Sequence, residues 1–212
     1  SISVQKAPSN EGGESEMKNK IILKNITKKF DTEAVLDNFS CEIDENTAIM
    51  GPSGKGKTTL LRIISGLTES DSGTIKFSRN PTFSVVFQED RLFSDFSAIE
   101  NVSLVLHREM PRKEARIKAS ELLCELLISP EEQNKAVKDF SGGMKRRVAI
   151  ARALAADHDI LILDEPYKGL DEHTRAVCAE VIKKYSADKL VLMVTHDKTE
   201  AEITGINKII SV

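Results

Sequence analysis

The chain has 212 residues, of which 40% are hydrophobic and 30% are charged, and its formal net charge is -3. This length suits one domain, or one domain with a small inserted subdomain, and is sufficient to bury a core. The slightly acidic balance excludes an overall basic field for nucleic acid. No apolar run approaches the ~20 residues of a membrane-spanning helix, so a role at a membrane would require a partner chain.

The first 16 residues differ from the rest of the chain in composition. They are rich in Ser, Gly, Glu and Pro and poor in large apolar side chains, so we expect a disordered tail, appended or native. Met17 is a plausible natural start, which places the domain at 17–212. A signal peptide is not predicted, because a positive segment followed by an apolar one is missing. Three scattered cysteines without metal-ligand spacing favour a reduced, cytosolic setting.

Apolar periodicity predicts strands that alternate with helices along the chain. Half-buried strands are predicted at 20–26 and 35–43, and a short strand at 47–50 enters a Gly-rich turn. Further strands are predicted at 73–77, 83–87, 160–163, 190–195 and 208–212, and helices at 57–67, 112–128, 142–155 and 172–185. The continuous apolar runs at 160–163 and 190–195 are typical of central parallel strands. The alternation predicts an α/β fold with a parallel sheet.

The Gly-rich turn has the pattern of a phosphate-binding loop. Residues 51–58 read GPSGKGKT, between a predicted strand and a predicted helix. Glycines let the backbone aim successive N–H groups at phosphate oxygens, and the following helix directs the positive end of its dipole at them. We expect Lys57 to reach the β- and γ-phosphates and Thr58 to ligate Mg²⁺. The residues predicted to contact nucleotide here are Gly51, Ser53, Gly54, Lys55, Gly56, Lys57, Thr58 and Thr59.

Two acids end the predicted strand at 160–163. Asp164 occupies the position at which an aspartate would hold Mg²⁺ through water, and Glu165 could polarise the attacking water. A solvated acid at a strand end is the alternative. The phosphate-binding loop favours the functional interpretation, because nucleotides bind beyond the carboxyl ends of such strands.

A second candidate anion site precedes the predicted helix at 142–155. Ser141 can cap this helix, and Gly142 and Gly143 can expose backbone N–H groups. By itself the segment FSGGM is more typical of a plain capped loop. Its place between the phosphate-binding loop and the acidic strand makes it informative.

The order of these motifs resembles that of the nucleotide-binding subunit of ABC transporters, over about residues 21–212. The segment FSGGMKRRVAIARALA resembles the family signature and its helix. The segments ILILDEPYKGLD and MVTHD resemble the Walker B motif with its D-loop and the switch-histidine segment. The resemblance implies a P-loop NTPase core with a mainly parallel sheet, a small antiparallel β subdomain and a helical signature subdomain at about 91–156.

The resemblance also implies a mechanism in which two copies pair head to tail and bury two ATP molecules. Each ATP, with Mg²⁺, would lie on the phosphate-binding loop of one copy and against Ser141 and Gly143 of the other. Asp171 would cross the dimer interface.

The remaining implied roles concern the γ-phosphate and the adenine. Gln88 would sense the γ-phosphate and Mg²⁺ and link the site to a partner. His196 would contact the γ-phosphate and help to place Glu165 and the water. Phe30 would stack on adenine, with a core Phe at a strand end as the alternative. His107, His158 and His173 match no motif and are expected to be surface or structural.

This chain departs from the family pattern at several positions. Met144 stands where the signature usually has Gln, and Lys55 stands where a small residue is usual. The D-loop, residues 168–171, reads Lys168-Gly169-Leu170-Asp171 in place of the more common small-residue sequence. The short segment between Gly73 and Gln88 predicts a reduced antiparallel subdomain.

The segments VVFQEDRLF and SGGM, with the small size, resemble ATPases of nitrate/sulfonate/taurine-type importers. This implies transmembrane permease subunits, an extracytoplasmic solute-binding protein and a peripheral location at the cytoplasmic membrane face, without nucleic acid. Arg91, Phe93 and Phe96 would then contact the permease, or alternatively pack within the helical subdomain. The competing interpretation is an exporter or cell-division type complex. A DNA or ribosome ATPase is less favoured, since long insertions and a second cassette are missing.

Overall fold

The structure is a computed structural model that describes residues 19–31, 33–107 and 109–212. The predicted tail at 1–16 lies outside the described residues. The strands are β1 (Ile21–Phe30), β2 (Glu33–Ile43), β3 (Thr47–Met50), β4 (Ser72–Phe77), β5 (Phe83–Val86), β6 (Ile160–Asp164), β7 (Leu190–Val194) and β8 (Lys208–Ser211). The helices are α1 (Lys57–Ile64), α2 (Ala98–Leu106), α3 (Arg112–Glu125), α4 (Pro130–Gln133), α5 (Gly142–Ala155), α6 (Glu172–Tyr185) and α7 (Lys198–Ile203). A 3₁₀ turn covers Val137–Asp139.

A parallel sheet in the order β5-β6-β7-β3-β8 forms the centre of the fold. Every residue of β6 and β7 is buried, which explains why both strands are continuously apolar. Successive side chains of β6 face opposite sides, so Ile160 and Ile162 join one core cluster while Leu161 and Leu163 join the other. The α/β prediction is confirmed.

An antiparallel sheet in the order β2-β1-β4 covers one side of the parallel sheet. Its apolar residues, among them Ile21 and Leu23, share a core cluster with Leu60 and Ile64 of α1. The other side of the parallel sheet is covered by α2, α3, α5 and α6, whose buried residues form a second cluster. Two of the three strands in the antiparallel sheet are 10 and 11 residues long, so this subdomain is well formed.

Two helices end earlier than the apolar pattern predicts. α1 ends at Ile64 because Gly66 has a φ of 72°, where the chain leaves the helix. α3 ends at Glu125 because Leu127 has a φ of 60°. The predicted bounds therefore extended both helices across a left-handed residue. Gly66 is a sequence signal that weakens the last turn of α1, whereas the residue type of Leu127 gives no such signal.

The sequence prediction also missed α2, α4 and α7. The start of α2 does have a sequence signal, since Ser97 and Glu100 form a capping box in which each side chain accepts from the other's backbone N–H. α2 to α5 lie within the range expected for a helical subdomain. None of the described helices combines the length and apolar character needed to cross a membrane.

Candidate functional site: a nucleotide-binding site

The phosphate-binding loop connects β3 to α1 at the carboxyl edge of the parallel sheet. Gly56, the N-cap of α1, has a φ of 84°, and a Cβ there would lie 2.3 Å from the Val35 carbonyl oxygen. Only glycine fits this position. The buried Lys57 folds back over the loop, where its Nζ donates to the carbonyl oxygens of Gly51 and Pro52, each at 2.8 Å. The loop thus holds its own cation at the place where phosphate would bind.

Beside this loop, Thr58 contacts the last residue of β6. The Thr58 hydroxyl donates to Asp164 Oδ2 over 2.9 Å, while Asp164 Oδ1 is buried without a hydrogen-bond partner among the described residues. Burial raises the pKa of Asp164, the charge of Glu165 adds to the rise, and the Thr58 hydrogen bond opposes it. A cation near this pair would favour the charged form of the Asp164 carboxylate. Hydroxyl and carboxylate oxygens suit Mg²⁺, so the residues present fit this ion.

The other two predicted catalytic residues, His196 and Gln88, both contact the carboxylate of Glu165. His196 Nε2 lies 3.1 Å from Oε1, and Gln88 Nε2 donates to Oε2 over 3.4 Å. Glu165 has a φ of 49°, an uncommon value for a non-glycine residue and one often associated with functional sites. Its backbone N–H donates to the Val194 carbonyl oxygen over 2.9 Å, which fixes it to the end of β7. The structure thus brings Gln88, Glu165 and His196 together.

The Glu165 carboxylate has a third side-chain partner, Lys168, which the sequence analysis did not place there. Lys168 Nζ lies 3.5 Å from Glu165 Oε2, on the same oxygen as Gln88. The sequence identified Lys168 only as a departure from the usual D-loop. Its position three residues after Glu165 is a local charge pattern that could have indicated the pair.

The signature residues lie at the start of α5, in a separate cleft of about 630 Å³. Ser141 caps the helix, and its hydroxyl accepts the Met144 N–H over 3.2 Å. Apart from its chain neighbours and the backbone of its own helix, no described atom lies within 4 Å of a Cβ placed on Gly142. The cleft is lined by residues that include Gln88, Ser141, Gly142, Gly143, Lys168 and Asp171. Among the described residues, the phosphate-binding loop contributes nothing to this lining, so the two anion sites of one chain are separate.

Two predicted contact residues lie at the periphery. Asp171 is the N-cap of α6 and accepts both the N–H and the hydroxyl of Thr174, which lowers its pKa. Phe30, at the end of β1, is 51% exposed, with Lys28 Nζ 5.5 Å from its ring centroid. An exposed ring contradicts the alternative of a core phenylalanine. Lys55 is exposed and belongs to the accessible part of the phosphate-binding loop.

Predicted residues outside the motifs differ in their exposure to solvent. Phe93 and Phe96 are exposed, with ring centroids 5.3 Å apart, which contradicts their packing inside the helical subdomain. His158 is buried and structural, whereas His173 is exposed. Among the cysteines, Cys124 is exposed, Cys41 is partly buried and Cys178 is buried.

Comparison with known proteins shows the family to which the chain belongs. Residues 36–168 match the family described as ABC transporter. The chain is 37% identical to the aliphatic sulfonates import ATP-binding protein SsuB of Corynebacterium glutamicum, over 84% of this chain and 74% of that protein. It is 38% identical to the Nod factor export ATP-binding protein I of Cupriavidus metallidurans, over 85% of this chain and 64% of that protein.

A further relative and a solved structure indicate the same family. The sulfate/thiosulfate import ATP-binding protein CysA of Bradyrhizobium diazoefficiens is 38% identical over 85% of this chain, which spans 58% of that protein. A solved dimer of an ATP-binding cassette in a post-hydrolysis state, bound to ADP and Pi, superposes with a TM-score of 0.81 and 32% identity. That superposition covers 91% of this chain and 94% of the other. The chain therefore belongs to the ABC transporter family and forms its ATP-binding, ATP-hydrolysing cassette.

Proposed function

We propose that this chain powers solute transport by binding and hydrolysing ATP for an ABC importer of a small solute of the nitrate, sulfonate or taurine type. The observation that carries the proposal is the grouping of Gln88, Glu165 and His196 beside the Thr58–Asp164 pair. This is the arrangement needed to hold MgATP and to orient a water. The relatives named as sulfonate and sulfate/thiosulfate import proteins support the importer assignment.

In this proposal, the residues of one chain prepare one half of each reaction site. The Lys57 ammonium exchanges two neutral carbonyl acceptors for phosphate oxygens, which are stronger partners for a cation. Thr58 would ligate Mg²⁺ and Asp164 would hold it through water, and the bound ion would neutralise phosphate charge. Glu165 orients the attacking water and accepts its proton, and His196 holds the carboxylate in place.

The second half of each site comes from another copy of the chain. The cleft at Ser141 and Gly143 has exposed backbone donors at a helix start, and it is separate from the phosphate-binding loop. A head-to-tail dimer brings this cleft onto the ATP of the partner. The substitution of Gln by Met144 leaves the capping hydrogen bond intact, because only its backbone N–H is used.

The same proposal assigns the exposed aromatic pair to a permease. Phe93 and Phe96 follow Gln88 closely and present adjacent rings to solvent. Docking of a transmembrane subunit there would place the chain at the cytoplasmic face of the membrane. An extracytoplasmic solute-binding protein would belong to the same system.

We expect the double substitution Phe93→Ser and Phe96→Ser to prevent co-purification with the permease while ATP affinity, measured by titration, is retained. Recovery of the permease by this variant would contradict the docking site.

An exporter is the second candidate, because the Nod factor relative is named as an export protein. The two candidates differ in the direction of transport. Vesicles that contain the complete transporter, supplied with ATP on the side of this chain, should move solute toward that side for an importer. Movement away from it would favour the exporter.

The first experiment tests ATP binding and pairing with a trapped enzyme. Glu165→Gln should slow hydrolysis and preserve the dimer, so light scattering on a sizing column should show a monomer-to-dimer shift with MgATP. Lys57→Ala in the same background should abolish the shift by removing the phosphate cation. Lack of ATP binding would overturn the proposal. ATP binding without a dimer would contradict head-to-tail assembly of the isolated chain.

A further inference from the structure

Arg146, in the second turn of α5, holds the main chain around Gln88. Its side chain is 5% exposed. Its Nη1 donates to the Phe87 carbonyl oxygen over 2.6 Å, and its Nη2 donates to the Gln88 carbonyl oxygen over 2.5 Å. Its Nε lies 3.2 Å from Asp90 Oδ1, as an ion pair without hydrogen-bond alignment. One guanidinium thus contacts three residues of the segment 87–91, here called the Gln88 segment.

Arg152 continues this attachment on the same helix. Its guanidinium donates to the Asp90 carbonyl oxygen over 3.2 Å and to the Arg91 carbonyl oxygen over 2.9 Å. Burial raises the pKa of Asp90, while the charges of Arg146, Lys145 and Arg152 oppose that rise. Four of the five residues of the Gln88 segment, namely Phe87, Gln88, Asp90 and Arg91, are therefore held by side chains of α5.

The start of α5 forms part of the signature cleft, which Arg146 and Gln88 also line. Ser141 caps the helix, and Arg146 lies five positions later, little more than one turn away. α5 is a continuous helix of 14 residues, so a displacement of its first turn should also displace the side chains of its following turns. The arginines therefore join the signature to the Gln88 segment mechanically, whereas Gln88 itself contacts Glu165 only over 3.4 Å.

We propose that Arg146 is a positioning residue that makes the Gln88 segment move with α5, so that the signature cleft and the Gln88–Glu165 contact change together. The inference rests on the proposed function for the role of Gln88 in hydrolysis, but the attachment itself is a property of the nucleotide-free chain. Arginine is required because its planar fork reaches two successive carbonyl oxygens while its third nitrogen faces Asp90. Lysine keeps the charge and loses the fork.

The first test measures the attachment without nucleotide. Amide hydrogen exchange in the Gln88 segment should be about tenfold faster in Arg146→Lys, since charge-assisted hydrogen bonds to two carbonyl groups are lost. The matched control is Arg147→Lys on the same helix, because the carbonyl oxygens to which Arg147 donates are those of Leu126, Leu127 and, within α5, Gly143. It should accelerate exchange near 126–127 and leave the Gln88 segment unchanged. Equal exchange of the Gln88 segment in Arg146→Lys and the unsubstituted chain would overturn the proposal.

The second test asks whether Arg146 acts through Gln88. Arg146→Lys should lower kcat about tenfold with little change in the KM for ATP, because the phosphate-binding loop is untouched. In a Gln88→Ala background, which is itself slow, the same substitution should add almost no further loss. A full tenfold loss in both backgrounds would overturn the inference. Failure of the unsubstituted chain to hydrolyse ATP would instead count against the proposed function, and the exchange result would still stand.

Discussion

At the scale of single residues, the phosphate-binding loop contains two glycines whose backbone angles are nearly equal but whose surroundings differ. Gly54 has a φ of 79° and Gly56 a φ of 84°. No described atom lies within 4 Å of a Cβ placed on Gly54, whereas one on Gly56 would meet the Val35 carbonyl oxygen at 2.3 Å. Substitution of Gly54 therefore tests only the cost of a left-handed backbone conformation in the free energy of unfolding, whereas substitution of Gly56 adds the cost of a steric clash.

We expect Gly54→Ala to lower the free energy of unfolding by about 1 kcal/mol, the cost of a left-handed alanine. Gly56→Ala should cost about 3 kcal/mol, because the Val35 strand must also shift. Urea unfolding of the two variants measures the difference. Equal losses would show that β2 does not constrain the start of α1.

Burial makes His158 a pH-sensitive residue. Its Nδ1 lies 2.6 Å from the Ala156 carbonyl oxygen, and Nε2 is buried without a partner among the described residues. Burial lowers the pKa of His158, the charge of Lys189 adds to this, and Asp157 and Asp159 oppose it. The folded chain therefore keeps a neutral ring at a pH where the unfolded chain binds a proton.

The linkage predicts that the stability associated with His158 is complete above its unfolded pKa and is lost as the pH falls through the lower, folded value. Free energies of unfolding from about pH 7.5 to about 5.5 should decrease less steeply in His158→Gln than in the unsubstituted chain. His173→Gln is the control, since that ring is exposed and the buried imidazole remains. A slope unchanged by His158→Gln would contradict the prediction.

At the scale of elements, α2 supports the loop that presents the aromatic pair. Asn101 is fully buried, and its Oδ1 accepts the Phe93 N–H over 2.9 Å. Its Nδ2 lies within hydrogen-bond distance of the carbonyl oxygens of Phe93 and Ser97, at 3.1 and 3.0 Å. One amide therefore fixes the loop to the first turn of α2.

Asn101→Ala should cost about 2 kcal/mol in the free energy of unfolding, because the Phe93 backbone groups lose their partner. Asn134→Ala is a suitable control, since Asn134 is exposed and reaches the Pro130 carbonyl oxygen only over 3.5 Å. It should change stability by less than about 0.5 kcal/mol. Comparable losses in both variants, measured by urea unfolding, would show that the loop does not depend on Asn101.

At the scale of the whole molecule, one core cluster crosses from the helical part to the parallel sheet. It contains Leu122 and Leu123 of α3 together with Leu161 and Leu163 of β6. Glu125 of α3 also accepts hydrogen bonds from two side chains of α6, each at 2.8 Å. The helical part therefore shares its apolar core with the sheet and is not a separate body.

We expect one cooperative unfolding transition for this reason. In differential scanning calorimetry, the calorimetric and van't Hoff enthalpies of the nucleotide-free chain should agree. Two resolved transitions, or a calorimetric enthalpy well above the van't Hoff value, would show that the helical part unfolds independently.

The central strands and the principal helices could be predicted because their residues follow local rules. α5 and α6 were predicted with their observed ends. Ser141 was predicted as the capping residue of α5, and Asp171 proves to cap the start of α6. α2 was missed although its apolar residues gather on one face and Ser97 and Glu100 form a capping box at its start; with nine residues it is also shorter than the helices that were predicted correctly. The overextended α1 and α3 depended on backbone angles that no periodicity specifies.

The sequence by itself determined the phosphate-binding loop, the Asp164–Glu165 pair, the signature helix and the family likeness. These depend on residue types at short, fixed spacings, where chemistry and local geometry suffice. Only the tertiary structure decided that Arg146 holds the Gln88 segment and that Asn101 holds the loop of Phe93. It also decided that Phe30 is exposed. Arg146 is separated along the chain from Phe87 by 59 positions and from Gln88 by 58. Contacts over such separations depend on how the helices pack on the sheet.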